Sequence, residues 1–284
     1  MSDSNKETWF EEKYKDYLGI RYRYSKSLFS GQSEFQKVDV VDTIGHGKML
    51  FNDKLAMISE RDEFVYHDMI THVPLFVHPN PKSVLVIGGG DGGTAREVLR
   101  HPEVEICVMV EIDEMVVDAC KKHIPQTSRV FSNPKLDLKI EDGVKFVAET
   151  DQKFDVVIVD STDPIGPAQP LFSEKFYGDV KRILNQDGIV VSQGESPFYN
   201  EPEQLSLFQI LNSQFSLVKF YNFTNLTYPG GLWSFSFASN KLDPIENFDR
   251  QRVDASGLEF NYYNADIHTA AFALPTFQRK RFET

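Results

Sequence analysis

The chain has 284 residues, of which 41% are hydrophobic, so it can bury the core of one large domain or of two. Its net charge of −12 disfavours nucleic acid as a main partner, because phosphate binding needs a basic surface. No apolar run is long enough to span a bilayer, and the polar first residues do not resemble a signal peptide. Cys107 and Cys120 lack the spacing of a metal or redox site, so we expect free thiols in a cytoplasmic protein.

The first 59 residues are predicted to form a small antiparallel β domain. Polar and apolar residues alternate in short runs, such as Ile20 to Tyr24 and Lys48 to Phe51. Turn-forming residues at Ser30-Gly31 and at Gly45 to Gly47 separate these runs. We therefore expect an N-terminal β-hairpin domain over 1–59 and a catalytic domain over 60–284.

A helix is predicted to follow, with Ser59 as its N-terminal cap and its end near Val77, where two prolines come next. His67, His72 and His78 fall in this stretch. Their spacings of five and six residues do not place them on one helical face, so we predict no metal site here.

Strands and helices alternate between residues 80 and 240. Apolar runs that read as strands occupy 84–87, 106–110, 136–140, 156–159 and 189–192. Helical patterns lie between them near 94–100, 114–123, 143–149 and 173–184. This alternation predicts parallel strands joined by crossovers, hence an α/β, Rossmann-like doubly wound sheet. Two final strands, at 215–220 and 232–238, lack an intervening helix, which is typical of the S-adenosylmethionine-methyltransferase type of this fold.

A glycine-rich turn follows the first of these strands. Gly88, Gly89 and Gly90 would let the backbone bend sharply and approach a ligand closely. Asp91 stands inside this turn, where dinucleotide-binding loops receive a negatively charged group. An acid at this position predicts a ligand whose nearest group is cationic, although Asp91 could instead only cap the next helix.

Three further strand ends carry acids. Glu111 lies about twenty residues beyond the glycines, the spacing at which an acid binds ribose hydroxyls. Asp142 would lie near an adenine amine, and Asp160 and Asp163 share a loop stiffened by prolines. Because the carboxyl ends of parallel strands meet at one edge of a sheet, these acids together predict a nucleoside-binding cleft.

Four motifs then identify a family. They are GGGDGG at 88–93, VEID at 110–113, EDG at 141–143 and DSTDPIGPA at 160–168. Together they resemble the polyamine aminopropyltransferases. The resemblance continues in ERDEFVYH at 60–67 and in the tail between Tyr262 and Pro275, and so covers nearly the whole chain.

The resemblance implies transfer of an aminopropyl group from decarboxylated S-adenosylmethionine to a diamine, usually putrescine, with methylthioadenosine as the other product. It implies that the aminopropyl donor is held by Gln36, Glu111, Asp142, Gly143 and Pro167. It implies that the amine side is lined by Tyr66, His67, Asp163, Gln193 and Tyr228. Asp160 would be the catalytic acid–base residue, and Asp91 would contact an amino group. No cofactor is expected, since the donor is a co-substrate, and a homodimer or homotetramer is implied.

The chemistry of the reaction agrees with these residues. The decarboxylated donor carries a bare ammonium, which Asp91 would attract, whereas Asp91 would repel the carboxylate of ordinary S-adenosylmethionine. Asp160 could accept the proton that the attacking amine must lose, and Tyr66 and Tyr228 could relay hydrogen bonds and offer ring faces to a cation. For the far ammonium of a diamine the candidate is Glu195, with an exposed loop glutamate as the alternative reading.

Other functions stay open on the sequence alone. Agmatine, cadaverine or a longer polyamine could replace putrescine as the acceptor. An amine N-methyltransferase that uses ordinary S-adenosylmethionine, or a non-catalytic polyamine-binding protein, could also be built on this fold. A nicotinamide dehydrogenase fits worst, because an acid stands beside the position that a phosphate would take.

Overall fold

The structure is a computed structural model, and it describes residues 7–164 and 166–283. The side chain of Pro167 lies outside what it describes, as do Met1 to Lys6. Among the described residues, no helix is long and apolar enough to cross a membrane.

The N-terminal part is a five-stranded antiparallel sheet whose strands neighbour one another in chain order. Its strands are β1 (Trp9–Tyr14), β2 (Leu18–Gln32), β3 (Lys37–Thr43), β4 (Gly47–Asn52) and β5 (Leu55–Ser59). The predicted small antiparallel β unit is confirmed. Side chains alternate between the two faces, so one face packs on the helix Glu114–His123 and the other forms its own small core.

The predicted turn at Ser30-Gly31 is wrong. Strand β2 runs through both residues, and Ser30 and Gly31 pair with Asp39 and Val38 of β3. A Cβ atom at residue 31 would lie 2.8 Å from the Sδ atom of Met115. The glycine is therefore needed for close approach to a helix, a demand that the local sequence does not reveal.

The larger part is a seven-stranded sheet in the order β11-β12-β10-β9-β6-β7-β8. Its strands are β6 (Ser83–Gly88), β7 (Ile106–Glu111), β8 (Leu136–Ile140), β9 (Phe154–Asp160), β10 (Leu184–Gln193), β11 (Leu217–Thr224) and β12 (Leu232–Ser239). Strands β6 to β10 pair in parallel, and β11 and β12 pair antiparallel at one edge. The predicted doubly wound sheet with a terminal antiparallel pair is confirmed.

Helices cover both faces of this sheet. They are α1 (Glu63–Val77), α2 (Gly93–Val98), α3 (Glu114–His123), α4 (Pro125–Ser128), α5 (Gly143–Glu149), α6 (Glu174–Ile183), α7 (Glu201–Gln214), α8 (Arg250–Ala255), α9 (Ala265–Ala271) and α10 (Thr276–Phe282). Along β6, Val84 and Val86 face the core that holds α1, while Leu85 and Ile87 face the core that holds α6. The sequence analysis did not identify α7 or the three C-terminal helices.

Helix α1 begins three residues later than predicted. Ser59 is the last residue of β5, and Asp62 precedes the first helical residue, Glu63. The carboxylate of Asp62 does not cap the helix but accepts hydrogen bonds from the backbone of Leu226 at 2.7 Å and of Thr227 at 3.0 Å. This acid therefore ties the start of α1 to the distant loop before β12.

Helices α1 and α2 pack closely because α2 begins with a glycine. A Cβ atom on Gly93 would lie 2.1 Å from Cε1 of His67, far inside van der Waals contact. His67 is buried and sits in α1. The absence of a side chain on Gly93 therefore creates the space that the imidazole ring fills.

We expect Gly93→Ala to lower the free energy of unfolding by about 1–3 kcal/mol, because the added methyl overpacks a buried ring. Urea denaturation measures this cost. Gly45→Ala is the matched control, since a Cβ atom there would meet nothing within 4 Å, and it should stay within about 0.5 kcal/mol of wild type. Equal stability of the two variants would contradict the close packing of α1 on α2.

Candidate active site

The predicted site residues gather at the point where the strand order of the large sheet reverses. Strand β6 lies between β7, which follows it in the chain, and β9, and Gly88 pairs with Asp160 at their carboxyl ends. Ligands of doubly wound sheets bind at such a reversal. A cavity of about 140 Å³ lies here, between the two sheets.

Twelve predicted residues line this cavity. They are Gln36, Tyr66, His67, Gly88, Gly89, Gly90, Asp91, Glu111, Asp142, Gly143, Asp160 and Tyr228. Asp163 and Gln193 line a smaller adjoining cavity of about 40 Å³. The prediction for Pro167 concerns a side chain outside the described residues and stays a prediction.

The glycine loop brings the backbone against two of the acids. Gly88 has a φ of +83°, and a Cβ atom there would lie 2.2 Å from the carbonyl oxygen of Asp160. A Cβ atom on Gly90 would lie 2.9 Å from Oε2 of Glu111. The loop therefore needs glycine to leave room for the backbone of Asp160 and for the carboxylate of Glu111.

Glu111 is buried at the end of β7, where its Oε1 accepts a hydrogen bond from the backbone N–H of Asp113 at 2.9 Å. Burial raises the pKa of Glu111 to about 7. Asp113 also accepts a hydrogen bond from the amide of Gln36 at 3.0 Å and so holds Gln36 at the cavity wall. The sequence analysis missed this role of Asp113, for which the N-cap position before α3 is the only local sign.

Asp142 and Gly143 form the turn into α5. Asp142 accepts a hydrogen bond from the backbone N–H of Val144 at 2.8 Å, so it caps the helix as well as lining the cavity. A Cβ atom on Gly143 would lie 2.7 Å from Cγ2 of Ile87, so this wall is tightly packed.

Asp160 is held by two hydroxyl groups at the end of β9. Its Oδ1 accepts a hydrogen bond from the Tyr66 hydroxyl at 2.7 Å, and its Oδ2 accepts one from Thr94 Oγ1 at 2.6 Å. Burial raises the pKa of Asp160, and the nearby negative charge of Asp91 raises it further. The carboxylate is therefore fixed in direction and is more basic than an ordinary aspartate.

Asp91 faces a cationic histidine. Its Oδ1 accepts a hydrogen bond from the backbone N–H of Gly93 at 2.8 Å and lies 3.4 Å from Nε2 of His67. Burial alone would lower the pKa of His67, but Asp91 and Glu63 together raise it to about 10. His67 is therefore an imidazolium at neutral pH, which the sequence analysis did not foresee.

Glu63 and Arg96 support this imidazolium from behind. Glu63 accepts a hydrogen bond from Nδ1 of His67, and both terminal nitrogens of Arg96 donate to Glu63 at 2.9 Å. Burial would raise the pKa of Glu63, yet His67 and Arg96 hold it at about 2. The charges thus alternate from Arg96 to Glu63, His67 and Asp91, and the last two members line the cavity.

The smaller cavity is lined by acids and aromatic rings. Glu12 of β1 is buried there, and burial raises its pKa to about 7. It accepts hydrogen bonds from the backbone of Ala56 at 3.2 Å and from the hydroxyl of Tyr22 at 3.4 Å. The sequence analysis missed Glu12, although its place between inward-facing Phe10 and Tyr14 on one strand face was a usable sign.

Gln193 links two acids on the far side of this cavity. Its amide nitrogen donates to Asp163 at 3.3 Å and to Glu195 at 3.1 Å. Burial raises the pKa of Asp163 to about 6 and that of Glu195 well above its usual range. Glu195 is buried, so the alternative of an exposed loop glutamate is wrong. The residue lies one hydrogen bond beyond Gln193.

Tyr228 closes the wall between the two cavities. Its hydroxyl donates to the carbonyl oxygen of Met57 at 2.9 Å, and its ring packs edge-on against Tyr66 with the centroids 5.8 Å apart. Asp62 holds the loop that carries Tyr228, as described above. The sequence analysis missed Asp62 because its partners lie more than 160 residues away.

The three histidines do not meet. His72 instead lies with Asp68 and Glu97, whose ligand atoms come within 4.8 Å of one another, a spacing compatible with a metal ion. Arg96 and Arg100 already donate to the two carboxylate oxygens of Glu97. The group therefore forms a buried ion-pair network.

Comparison with known proteins agrees with this site. A family model described as the spermine/spermidine synthase domain matches residues 63–250, and one described as the spermidine synthase tetramerisation domain matches residues 8–60. The second match indicates an oligomer.

Two similar proteins are both described as polyamine aminopropyltransferase. That of Alkaliphilus oremlandii is 43% identical over 98% of each chain. That of Methanocaldococcus jannaschii is 45% identical over 95% of this chain and 93% of its own.

Solved structures match almost the whole fold. A spermidine synthase in complex with the transition state analogue AdoDATO has a TM-score of 0.96 at 39% identity, covering 99% of this chain and 97% of its own. Spermidine synthase from Thermotoga maritima has a TM-score of 0.95 at 39% identity, covering 99% of this chain and 96% of its own. The chain therefore belongs to the spermine/spermidine synthase family, the polyamine aminopropyltransferases, and is a transferase.

Proposed function

We propose that this chain transfers the aminopropyl group of decarboxylated S-adenosylmethionine to putrescine, giving spermidine and methylthioadenosine, with Asp160 as the base. The observation that carries the proposal is the position of Asp160. It lies on the wall of the larger cavity, next to the smaller acid-lined cavity, and Tyr66 and Thr94 fix both of its oxygens.

The donor matches the lining of the larger cavity by charge. Glu111 would accept from the ribose hydroxyls, and Asp142, which also lines the cavity, would accept from the adenine amine. Asp91 is the carboxylate at the end of an alternating chain of charges, so it is available to the bare ammonium of the decarboxylated donor. Donor and acceptor are co-substrates, and we propose no cofactor.

The acceptor would occupy the region of the smaller cavity, whose acids and rings match its charges. Putrescine carries an ammonium at each end, and the reacting end would lie between Asp160 and the rings of Tyr66 and Tyr228. For the far ammonium, Glu12 and Asp163 line the cavity directly. Glu195, the candidate from sequence, lies one hydrogen bond beyond Gln193 and would act through it.

The reaction balances with these groups. An alkylammonium with a pKa near 10 is only about 0.1% neutral at pH 7, so the acceptor must first lose a proton. Asp160 takes that proton, and its raised pKa narrows the gap to the amine. The nitrogen lone pair then forms the new N–C bond while the C–S bond breaks. The electron pair of the C–S bond stays on sulfur and neutralises the sulfonium. Holding both substrates in line supplies much of the rate.

The assembly and location follow from less direct observations. The match to a tetramerisation domain supports a homodimer or homotetramer. Both cysteines are free and buried, which suits a reducing compartment such as the cytoplasm.

A product assay tests the reaction itself. Incubation with decarboxylated S-adenosylmethionine and either putrescine, cadaverine, agmatine or spermidine should release methylthioadenosine fastest with putrescine. Ordinary S-adenosylmethionine should yield no methylated amine. Release of methylthioadenosine without preference for a diamine would contradict the assignment of putrescine as the acceptor. Transfer of a methyl group would contradict the proposed aminopropyl transfer.

We expect Asp160→Asn to lower kcat by about 10²–10⁴-fold, because an amide cannot take the proton of the amine. Calorimetry should show that methylthioadenosine still binds. Asp163→Asn is the control, since it removes a carboxylate from the acceptor side and should raise KM for putrescine with little change in kcat. Near-normal turnover by the Asp160 variant would show that Asp160 is not the base.

We expect Asp91→Asn to narrow the preference for the decarboxylated donor over ordinary S-adenosylmethionine by roughly tenfold, since one charge contact near the donor's tail is lost. Competition between the two donors for the enzyme measures the ratio. Asp142→Asn is the control, because Asp142 lies on the nucleoside side. It should weaken the binding of both donors alike. An unchanged ratio in the Asp91 variant would leave Asp91 as a helix cap only.

A further inference from the structure

A third cavity adjoins the small acceptor cavity. The donor cavity and the small acceptor cavity share Met57 and Tyr228 as walls. The small cavity in turn shares Tyr14, Leu55 and Asp163 with a third cavity of about 640 Å³. The three cavities therefore adjoin one another in a row with shared walls, and the cavity that holds Asp160 lies at one end.

The outer cavity is suited by its chemistry to an ammonium group. Asp53, Asp163 and Glu203 supply carboxylates to its wall, and Tyr14 supplies a ring face. A triamine such as spermidine carries a third amino group three or four carbons beyond the second. An acceptor of that length, bound with one end at Asp160, would extend into this cavity.

Lys15 places a protein ammonium in the same cavity. It follows β1 directly and adopts a φ of +56°, a left-handed backbone that is uncommon for lysine. Its Nζ lies 3.4 Å from Oε1 of Glu203 and 5.8 Å from the ring centre of Tyr14. Its charge also lowers the pKa of Asp163, opposing the rise caused by burial.

We propose that Lys15 is a specificity-determining residue, whose ammonium occupies the outer anionic site and so excludes acceptors that carry a third amino group. The inference rests on the proposed aminopropyl transfer and deepens it. Two effects act in the same direction: Lys15 repels a third ammonium, and it competes with that ammonium for Glu203 and Asp163. A diamine has no third ammonium to place beside Glu203, so its binding depends less on Lys15.

The size of the effect follows from exposure. The side chains of Lys15 and Glu203 are 34% and 32% exposed, so solvent screens the pair and its contribution is modest. We expect a change of about three- to tenfold in selectivity, which should shrink at high salt. A buried pair would repel a third ammonium more strongly, because solvent would screen its charges less.

The test compares kcat/KM for spermidine with kcat/KM for putrescine. Lys15→Met keeps most of the aliphatic stem and removes the charge, so it should raise the spermidine-to-putrescine ratio three- to tenfold at low salt. Lys15→Arg keeps the charge and should retain the wild-type ratio. Lys13→Met is the matched control. Lys13 lines the same cavity, but the ion pair with Glu203 is made by Lys15.

A second measurement does not depend on turnover. Calorimetric binding of spermidine, with methylthioadenosine present, should tighten three- to tenfold in Lys15→Met and stay constant in Lys13→Met. An unchanged ratio and unchanged binding in Lys15→Met, or equal changes in both methionine variants, would overturn the inference. If the wild-type chain transferred no aminopropyl group to putrescine, the proposed function would fail instead, so the two failures are distinguishable.

Discussion

Buried negative charge is the constraint on which the rest of this site depends. Asp91, Glu111 and Asp160 converge on the carboxyl ends of β6, β7 and β9, and burial raises the pKa of Glu111 to about 7 and that of Asp160 above its usual range. An acid whose pKa is raised by folding binds more protons in the folded state, so its ionisation lowers stability as the pH rises from about 4 towards 7. A cationic ligand reverses this cost, and the fold therefore holds a site that gains most from binding ammonium and sulfonium groups.

The support for this charge extends well beyond the cavity wall. Glu63 and Arg96 fix His67, and Arg96 also donates to Glu97 at 2.7 Å. Asp68, one residue after His67, accepts from the backbone N–H groups of residues 261 to 263. The C-terminal tail is thus anchored to the helix that carries the site, which gives a physical reason for the family resemblance to reach that far along the chain.

The sequence predicted those parts of the site that follow from local periodicity. Parallel strands bring their carboxyl ends to one edge, so Gly88, Glu111 and Asp160 could be placed together without a structure. Residues that act across long separations could not be placed in this way. Thr94 and Asp62 read as ordinary helix-start residues, and Glu12 lies in a strand of the other sheet. The turn expected at Gly31 failed for the same reason, because its glycine serves a contact with a helix that lies far along the chain.

The imidazolium of His67 changes how the acid among the glycines is understood. Had Asp91 stood alone, its charge would have been unopposed and costly to bury. Pairing with His67 removes much of that cost, and Glu63 in turn cancels the charge of His67, so that no net positive charge is left to attract a carboxylate. Under the proposed function, selection for a cationic tail would therefore belong to the whole chain of ion pairs. Asp91 supplies its negative end, and Arg96, Glu63 and His67 balance the charge behind it.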